Sequence, residues 1–367
     1  MKVKRFLEVK EGDTLATLRS FLQELLEKEI VEALLVPLEA PSGDAVMPAL
    51  VKEPARLAKA NPLAPVMAVN GARLVSSLTI GKPREKIGAL LRSCEIRALI
   101  ELVKLKQAYL ENLIIIGIDC LGTYEVTDYA KLVWEGGSPT MELVRGAKEG
   151  SLTPRQGYQF RSACRICEYP IPQNAAITIG LLGVSDKVLI EGEDELAERL
   201  ELTEGEAPSR EEVIKRLVEA RIEERDRLFS QFREFVVDIP SLLALFSACI
   251  RCHNCTVACP ICYCKECLFR TSTFEHEPDR YLRWAERKGA IRMPTDTLLF
   301  QLTRLNHMVT SCVGCGMCES ACPSHIPLTA IFRAVGQEVQ AIFDYLPGRS
   351  LEDELPLATF KEDELKE

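Results

Sequence analysis

Residues 86–120 read KIGALLRSCEIRALIELVKLKQAYLENLIIIGIDC. KIGALL (86–91) and LIIIGI (113–118) are short continuous apolar runs, the pattern of strands buried on both faces. Between them, EIRALIELVKLKQAY (95–109) places apolar residues at helical spacing. Strand, helix and strand make a βαβ unit, so the two strands are expected to be parallel neighbours. Working outward, TLATLRSFLQELLEK (14–28) predicts a helix and ALLVPL (33–38) a strand. Residues 39–85, rich in Pro and Gly, read as turns and short strands. NAAITIGLLGVSDKVLI (174–190) reads as a hairpin or paired strands. The expected fold class is an α/β N-terminal domain, a mixed sheet with a βαβ unit, followed by a mainly α-helical region.

That second region opens at Ser209 and Glu212, which match a capping box. A charged helix follows to about residue 235, and EEVIKRLVEARIEERDR (211–227) reads as a solvated helix with i,i+4 ion pairs. The domain reading is 1–205 for the α/β unit, 206–244 for a helical linker, 245–345 for a cysteine-rich helical domain with a long insert at 268–311, and 346–367 for an acidic, frayed tail.

Composition narrows the function. The chain has 367 residues, a net charge of −9 and 15 cysteines. An acidic chain lacks the basic face that phosphate binding wants, so no nucleic-acid partner is expected. The start, MKVKRFLEVKEGD, has no apolar signal region, and no run is long enough for a membrane span, so a cytoplasmic location is expected. Clustered cysteines in a long cytoplasmic chain point to metal rather than disulfides.

The cysteines fall into patterns. CIRCHNCTVACP (249–260) and CVGCGMCESACP (312–323) both have the spacing C-x2-C-x2-C-x3-C-P. Three thiolates at that spacing wrap one 4Fe–4S cluster, and the fourth ligates the other cluster of a pair. Cys249, Cys252 and Cys255 are therefore expected to share a cluster with Cys322, and Cys312, Cys315 and Cys318 one with Cys259. The alternative is four-cysteine zinc sites, which also use C-x2-C pairs. Pro260 and Pro323 end each ligand loop.

Cys94 and Cys120 each follow a strand of the βαβ unit. Parallel strands end on one edge of the sheet, so these thiols should be close together. Cys94 also opens a helix, whose dipole favours a thiolate. Cys164 and Cys167 form a further C-x2-C pair. Together the four could hold a third cluster, or be two structural thiols and an unrelated pair. Cys262, Cys264 and Cys267 (CYCKEC) remain, with His253 or His276 as candidate fourth ligands for a metal. His307 and His325 read as surface or supporting residues.

The long charged segment between the two C-terminal motifs resembles the α-helical ferredoxin domains of heterodisulfide and fumarate reductases, as does CVGCGMCESACPSHIPL (312–328). RSCEIRAL (92–99), GIDCLGTYE (117–125) and SACRICEY (162–169) resemble the motifs of the coenzyme-F-420 hydrogenase and formate dehydrogenase beta-subunit family over roughly residues 10–200. Two positions depart from that pattern. Ser93 stands where the family usually has Pro, and EYPIPQNAAITIG (168–180) replaces the acidic segment of many deazaflavin-dependent members. The resemblance implies an FAD beside one 4Fe–4S cluster held by Cys94, Cys120, Cys164 and Cys167.

For the flavin, backbone N–H groups of Gly12, Asp13 and Thr14 at a helix start could meet the pyrophosphate, with Asn70 and Gly71 as a second contact. The alternative is a capped helix and an ordinary Asn-Gly turn. The functional expectation is an electron-transfer oxidoreductase subunit moving electrons between FAD and 4Fe–4S clusters. Its expected partners are a small redox carrier and a catalytic subunit of formate dehydrogenase, hydrogenase or heterodisulfide-reductase-like type. A flavin-free multi-cluster adaptor is the alternative.

Overall fold

The structure is a computed structural model; it describes residues 2–200, 202–274, 276–290 and 296–358. Its strands are β1 (Lys2–Glu8), β2 (Ala33–Glu39), β3 (Val46–Val51), β4 (Ile87–Arg92), β5 (Leu113–Ile118), β6 (Ile177–Gly180) and β7 (Lys187–Glu193). They form one mixed sheet in the order β1-β7-β6-β5-β4-β2-β3. Strands β2, β4, β5 and β6 run parallel, and β1, β7 and β3 pair antiparallel. The βαβ unit is present, with Ile87 opposite Leu113 and Arg92 opposite Ile118. All six residues of β4 are buried, because helices and chain cover both faces.

The N-terminal helices are α1 (Thr14–Glu27), α2 (Gly71–Thr79), α3 (Ser93–Lys104), α4 (Val126–Trp134), α5 (Pro139–Glu149), α6 (Ser162–Arg165) and α7 (Asp194–Arg199). Helix α2 corrects the reading of 39–85 as turns and short strands. It is only nine residues long, and its Asn-Gly opening serves as helix N-cap and first residue. Helix α3 ends at Lys104 rather than 109. Lys106 is left-handed, and Gln107 N–H returns to Leu102 O at 2.7 Å, a Schellman stop.

The remaining helices are α8 (Arg210–Phe235), α9 (Ile239–Leu245), α10 (Asn254–Ala258), α11 (Pro278–Lys288), α12 (Asp296–Met308), α13 (Met317–Ser320) and α14 (Leu328–Ile342). Residues 275 and 291–295 of the long insert, and 359–367 of the acidic tail, lie outside the described residues. One face of the sheet buries α1, α4, α5 and the start of α8, through residues such as Leu18, Phe21, Ile179 and Val213. The other buries α2 and α3 together with the cysteine-rich region, joining Leu99 and Ile100 to Phe300, Ile331 and Phe332 in one core.

Helix α8 is solvated along much of its length, with the i,i+4 pair Lys215–Glu219 at 3.9 Å, but it also has a buried side. Arg210, Val213, Leu217, Arg221 and Phe229 are buried along it. Ser209 makes no capping bond, which corrects the capping-box reading. Its place as the anchor of the helix start is taken by Arg210, whose guanidinium grips the buried Asp119 at 2.6 and 3.0 Å. Asp119 also accepts from Leu181 N and Leu182 N. One carboxylate thus ties the end of β5, the turn after β6 and the start of α8.

Breaking a buried pair on one side strands a charge, at a cost of about 3–5 kcal/mol. Asp119→Ala is expected to lose that much in urea unfolding, and an added Arg210→Met to restore part of it. Unchanged stability in Asp119→Ala would contradict this role.

Candidate iron-sulfur and cofactor site

The four N-terminal cysteines come together at the C-terminal edge of the parallel strands. Cys94 lies in the first turn of α3, directly after β4, and Cys120 follows β5. Cys120 N–H donates to Pro170 O at 2.8 Å, which draws the segment carrying Cys167 against the end of β5. Cys164, in α6, has its Sγ 3.1 Å from Thr123 Oγ1. Burial pushes the Cys94 thiol well up, and Glu95, Cys120, Cys315 and Cys167 add to it. Cys120 is pushed up to about 11 by burial, then by Cys164 and Cys167.

The C-terminal cysteines are crossed in space. Cys249, Cys252 and Cys255 line one cavity of about 330 Å³ together with Cys322 and Gln301. Cys259 turns the other way. Burial pushes its thiol well up, and the neighbouring sulfurs that add to this are Cys315, Cys318 and Cys312. Both loops use the same backbone. Arg251 and His253 flank Cys252 in left-handed conformation, at φ 56° and 59°, and Gly314 and Gly316 flank Cys315 likewise, at 73° and 71°. Such turns direct successive N–H groups inward, where they meet negative charge. Gly316 is also needed for space: a Cβ there would lie 2.4 Å from that of Ala163. The second motif therefore abuts the segment carrying Cys164.

Among the described residues, no three His, Cys, Asp or Glu side chains converge as ligands of a single ion would. Cubane ligands need not converge, since each holds a different iron. Cys262, half-buried, has Cys264 and Cys267 as neighbours, and Cys264 is exposed. His307 and His325 are exposed. His253 is buried edge-on to Phe300, with ring centroids 4.7 Å apart.

Arginines, buried or nearly so, surround the thiols. Arg161 donates to Cys315 O at 3.1 Å and Ser320 Oγ at 2.9 Å, and lies 3.7 Å from Glu125. Arg333 pairs with Glu168 at 2.7 Å. Arg97 donates to Pro347 O and Val313 O and stacks on Tyr169. Arg304 donates to Cys255 O at 3.3 Å, while its Nε and Nη1 are buried with no hydrogen-bond partner in the protein. Thiols gathered around a cavity, inward N–H groups and an orphaned guanidinium suit an anionic iron–sulfur cluster.

A second, narrow cavity opens beside α3. Val36, Val66, Met67, Gly71, Arg92 and Glu95 are among its walls. Arg92 and Glu95 bracket Cys94 in the chain, so this cavity adjoins the N-terminal thiols. Asn70 caps α2 through Ala72 N, and its buried Nδ2 has no partner. Gly71 N–H donates to Glu95 at 2.7 Å. Asp13 caps α1 through Ala16 N at 2.9 Å, Gly12 is exposed and Thr14 is buried. Gly12, Asp13 and Thr14 are not among the cavity walls. Asn70 is not among the walls either, and Arg92 meets Glu95 through its backbone N–H at 2.8 Å while its guanidinium donates to Ala64 O.

Residues 245–326 match the 4Fe-4S dicluster domain family, a span that includes both C-terminal motifs. The protein is thus an iron–sulfur oxidoreductase subunit. The chain is 30% identical over 295 residues to the F420-dependent formate dehydrogenase subunit beta of Methanocaldococcus jannaschii, covering 72% of this chain and 74% of that one. It is 27% identical over 306 residues to the F420-dependent formate dehydrogenase 1 subunit beta of Methanococcus maripaludis, covering 74% and 75%. The chain belongs to the formate dehydrogenase beta-subunit family. Among solved structures, a chain of the F420-reducing NiFe hydrogenase complex from Methanosarcina barkeri matches with a TM-score of 0.45 at 10% identity, covering 65% of this chain and 93% of that one.

The crossing sets a test. Cys322→Ser is expected to perturb the EPR signal of the cluster held by Cys249, Cys252 and Cys255, and Cys259→Ser that of the other. Because each cluster then ties distant segments, both variants should also become more sensitive to protease. A Cys322→Ser variant that altered only the cluster of its own motif would overturn the crossed assignment.

Proposed function

We propose that this chain is the electron-transfer subunit of a formate dehydrogenase-type complex, with FAD in the cavity beside α3, three 4Fe–4S clusters, a catalytic oxidoreductase subunit as partner and coenzyme F420 as the diffusing carrier. The names of the relatives motivate the carrier and the partner. Bound there, a flavin would exchange hydride with a small carrier and the clusters would pass single electrons, chemistry that side chains alone do not supply.

One observation carries the reading: the three thiol groups form an unbroken series. Arg92 and Glu95 of the cavity wall bracket Cys94. Cys94 has Cys315 of the second motif as a near neighbour. Cys255 of the first motif has Cys318 of the second as a near neighbour. At the far end Cys252 is exposed, as are Ile250 and Val257 beside it. Each group thus adjoins the next, from a ligand cavity to an exposed sulfur flanked by apolar side chains where a partner could dock.

On this reading residues 1–205 hold the flavin and the first cluster, and residues 245–345 hold the other two. Cys94, Cys120, Cys164 and Cys167 ligate the first. Apolar walls at Val66 and Met67 would keep water from the flavin ring. Gly12, Asp13 and Thr14 would serve only a more distant part of FAD. No described helix is long and apolar enough to cross a membrane, and we place the complex in the cytoplasm.

Anaerobically purified chain should contain about 12 iron and 12 sulfide, from three cubanes, and release FAD on denaturation. Cys94→Ser should slow cluster reduction by the carrier more than it weakens flavin binding. About 8 iron would remove the N-terminal cluster. Full iron without flavin would make the chain a multi-cluster adaptor instead.

A further inference from the structure

Arg304, on α12, is 4% exposed and lies at the junction of the two C-terminal thiol groups. It donates to Cys255 O in the first motif, and its guanidinium lies over Phe332 at 4.4 Å. Cys318 of the second motif and Cys259, which crosses to it, are neighbours as well. Of the arginines around the thiols, Arg161 has Glu125 and Arg333 has Glu168, while Arg97 satisfies its N–H groups on the carbonyls of Pro347 and Val313. Arg304 takes part in no ion pair among the described residues. An isolated buried cation is costly unless negative charge faces it. The neighbouring groups that could supply it, once they hold a cluster, are the sulfurs of Cys255, Cys259 and Cys318. Burial would lower the guanidinium pKa, but Cys318, Cys255 and Cys259 together hold it above its ordinary value.

We propose that Arg304 is a positioning residue that sets the reduction potentials of both C-terminal clusters, holding them up together. The inference rests on the cluster reading above. Reduction adds one electron to a cluster and breaks no bond, so the added negative charge must be met by fixed charge and hydrogen bonds. A cation shared between two clusters stabilises the reduced form of each. Its free Nε–H and Nη1–H groups can donate to cluster sulfur, which strengthens the effect. Charge sharing also couples the pair: once one cluster is reduced, the same cation is less available to the other.

The test is anaerobic potentiometric titration followed by EPR on the full-length chain, with Arg304→Gln and Arg304→Lys beside wild type. Iron content is measured first; a wild-type chain without iron would sink the cluster reading, which is a separate failure. With iron retained, Arg304→Gln is expected to lower both C-terminal midpoints and leave the N-terminal cluster, assigned by its loss in Cys94→Ser, nearly unmoved. Arg304→Lys, which keeps the charge, should shift them less. Unmoved C-terminal midpoints in Arg304→Gln would overturn the proposal, as would an equal shift of all three clusters. If Arg304→Gln loses iron, Arg304→Lys decides. Midpoints near wild type then support the charge role, and a marked lowering with the clusters intact overturns it.

Discussion

Buried sulfur governs this structure. A thiol taken out of water resists ionisation, and here burial raises Cys94 and Cys259 strongly and Cys315 to about 12. Such thiols become thiolates only against compensating positive charge, from iron and from nearby cations. The cations are buried arginines, and each must in turn satisfy its own N–H groups. Arg161 reaches from the segment before Cys164 to Cys315 O and Ser320. Arg97 reaches from α3 to Pro347 and Val313. Arg333 reaches from α14 to Glu168, next to Cys167. The charges that make the thiols useful also fasten the sheet to the cysteine-rich region.

Seen this way, the shared core follows from the electrostatics. A free linker between two independent domains would leave Cys94 and Cys315 apart. Instead α8 is pinned at its start by Asp119, and Leu99 of α3 shares one buried core with Phe332 of α14 and Phe300 of α12. The long insert supplies Arg304 and Gln301, whose Nε2 lies 3.3 Å from Cys249 Sγ.

Local and periodic features were legible in the sequence. The βαβ unit, the paired strands near 177–193 and both cysteine motifs rest on short-range pattern. Helix α2 was not legible, because nine residues scarcely show a helical period and Asn70-Gly71 resembles a turn. The left-handed residues were half visible. Gly314 and Gly316 suggest them, but Arg251 and His253 adopt the same backbone without the residue type that signals it. The arginines were not visible, since residues such as Arg304 and Arg333 are lone arginines on amphipathic helices and gain their role only from distant partners. The capping box at Ser209 shows the reverse error: a local pattern was present, and the long-range Arg210–Asp119 pair did the work.

The account joins these features into one line of sulfur from an enclosed cavity to an exposed edge. It depends on where iron sits. The most direct test is an anomalous difference map, recorded at the iron edge, from anaerobic crystals of the chain. The account predicts three iron sites: one within Cys94, Cys120, Cys164 and Cys167, one within Cys249, Cys252, Cys255 and Cys322, and one within Cys312, Cys315, Cys318 and Cys259. Iron absent from the N-terminal thiols, or bound within each C-terminal motif by its own four cysteines, would contradict it.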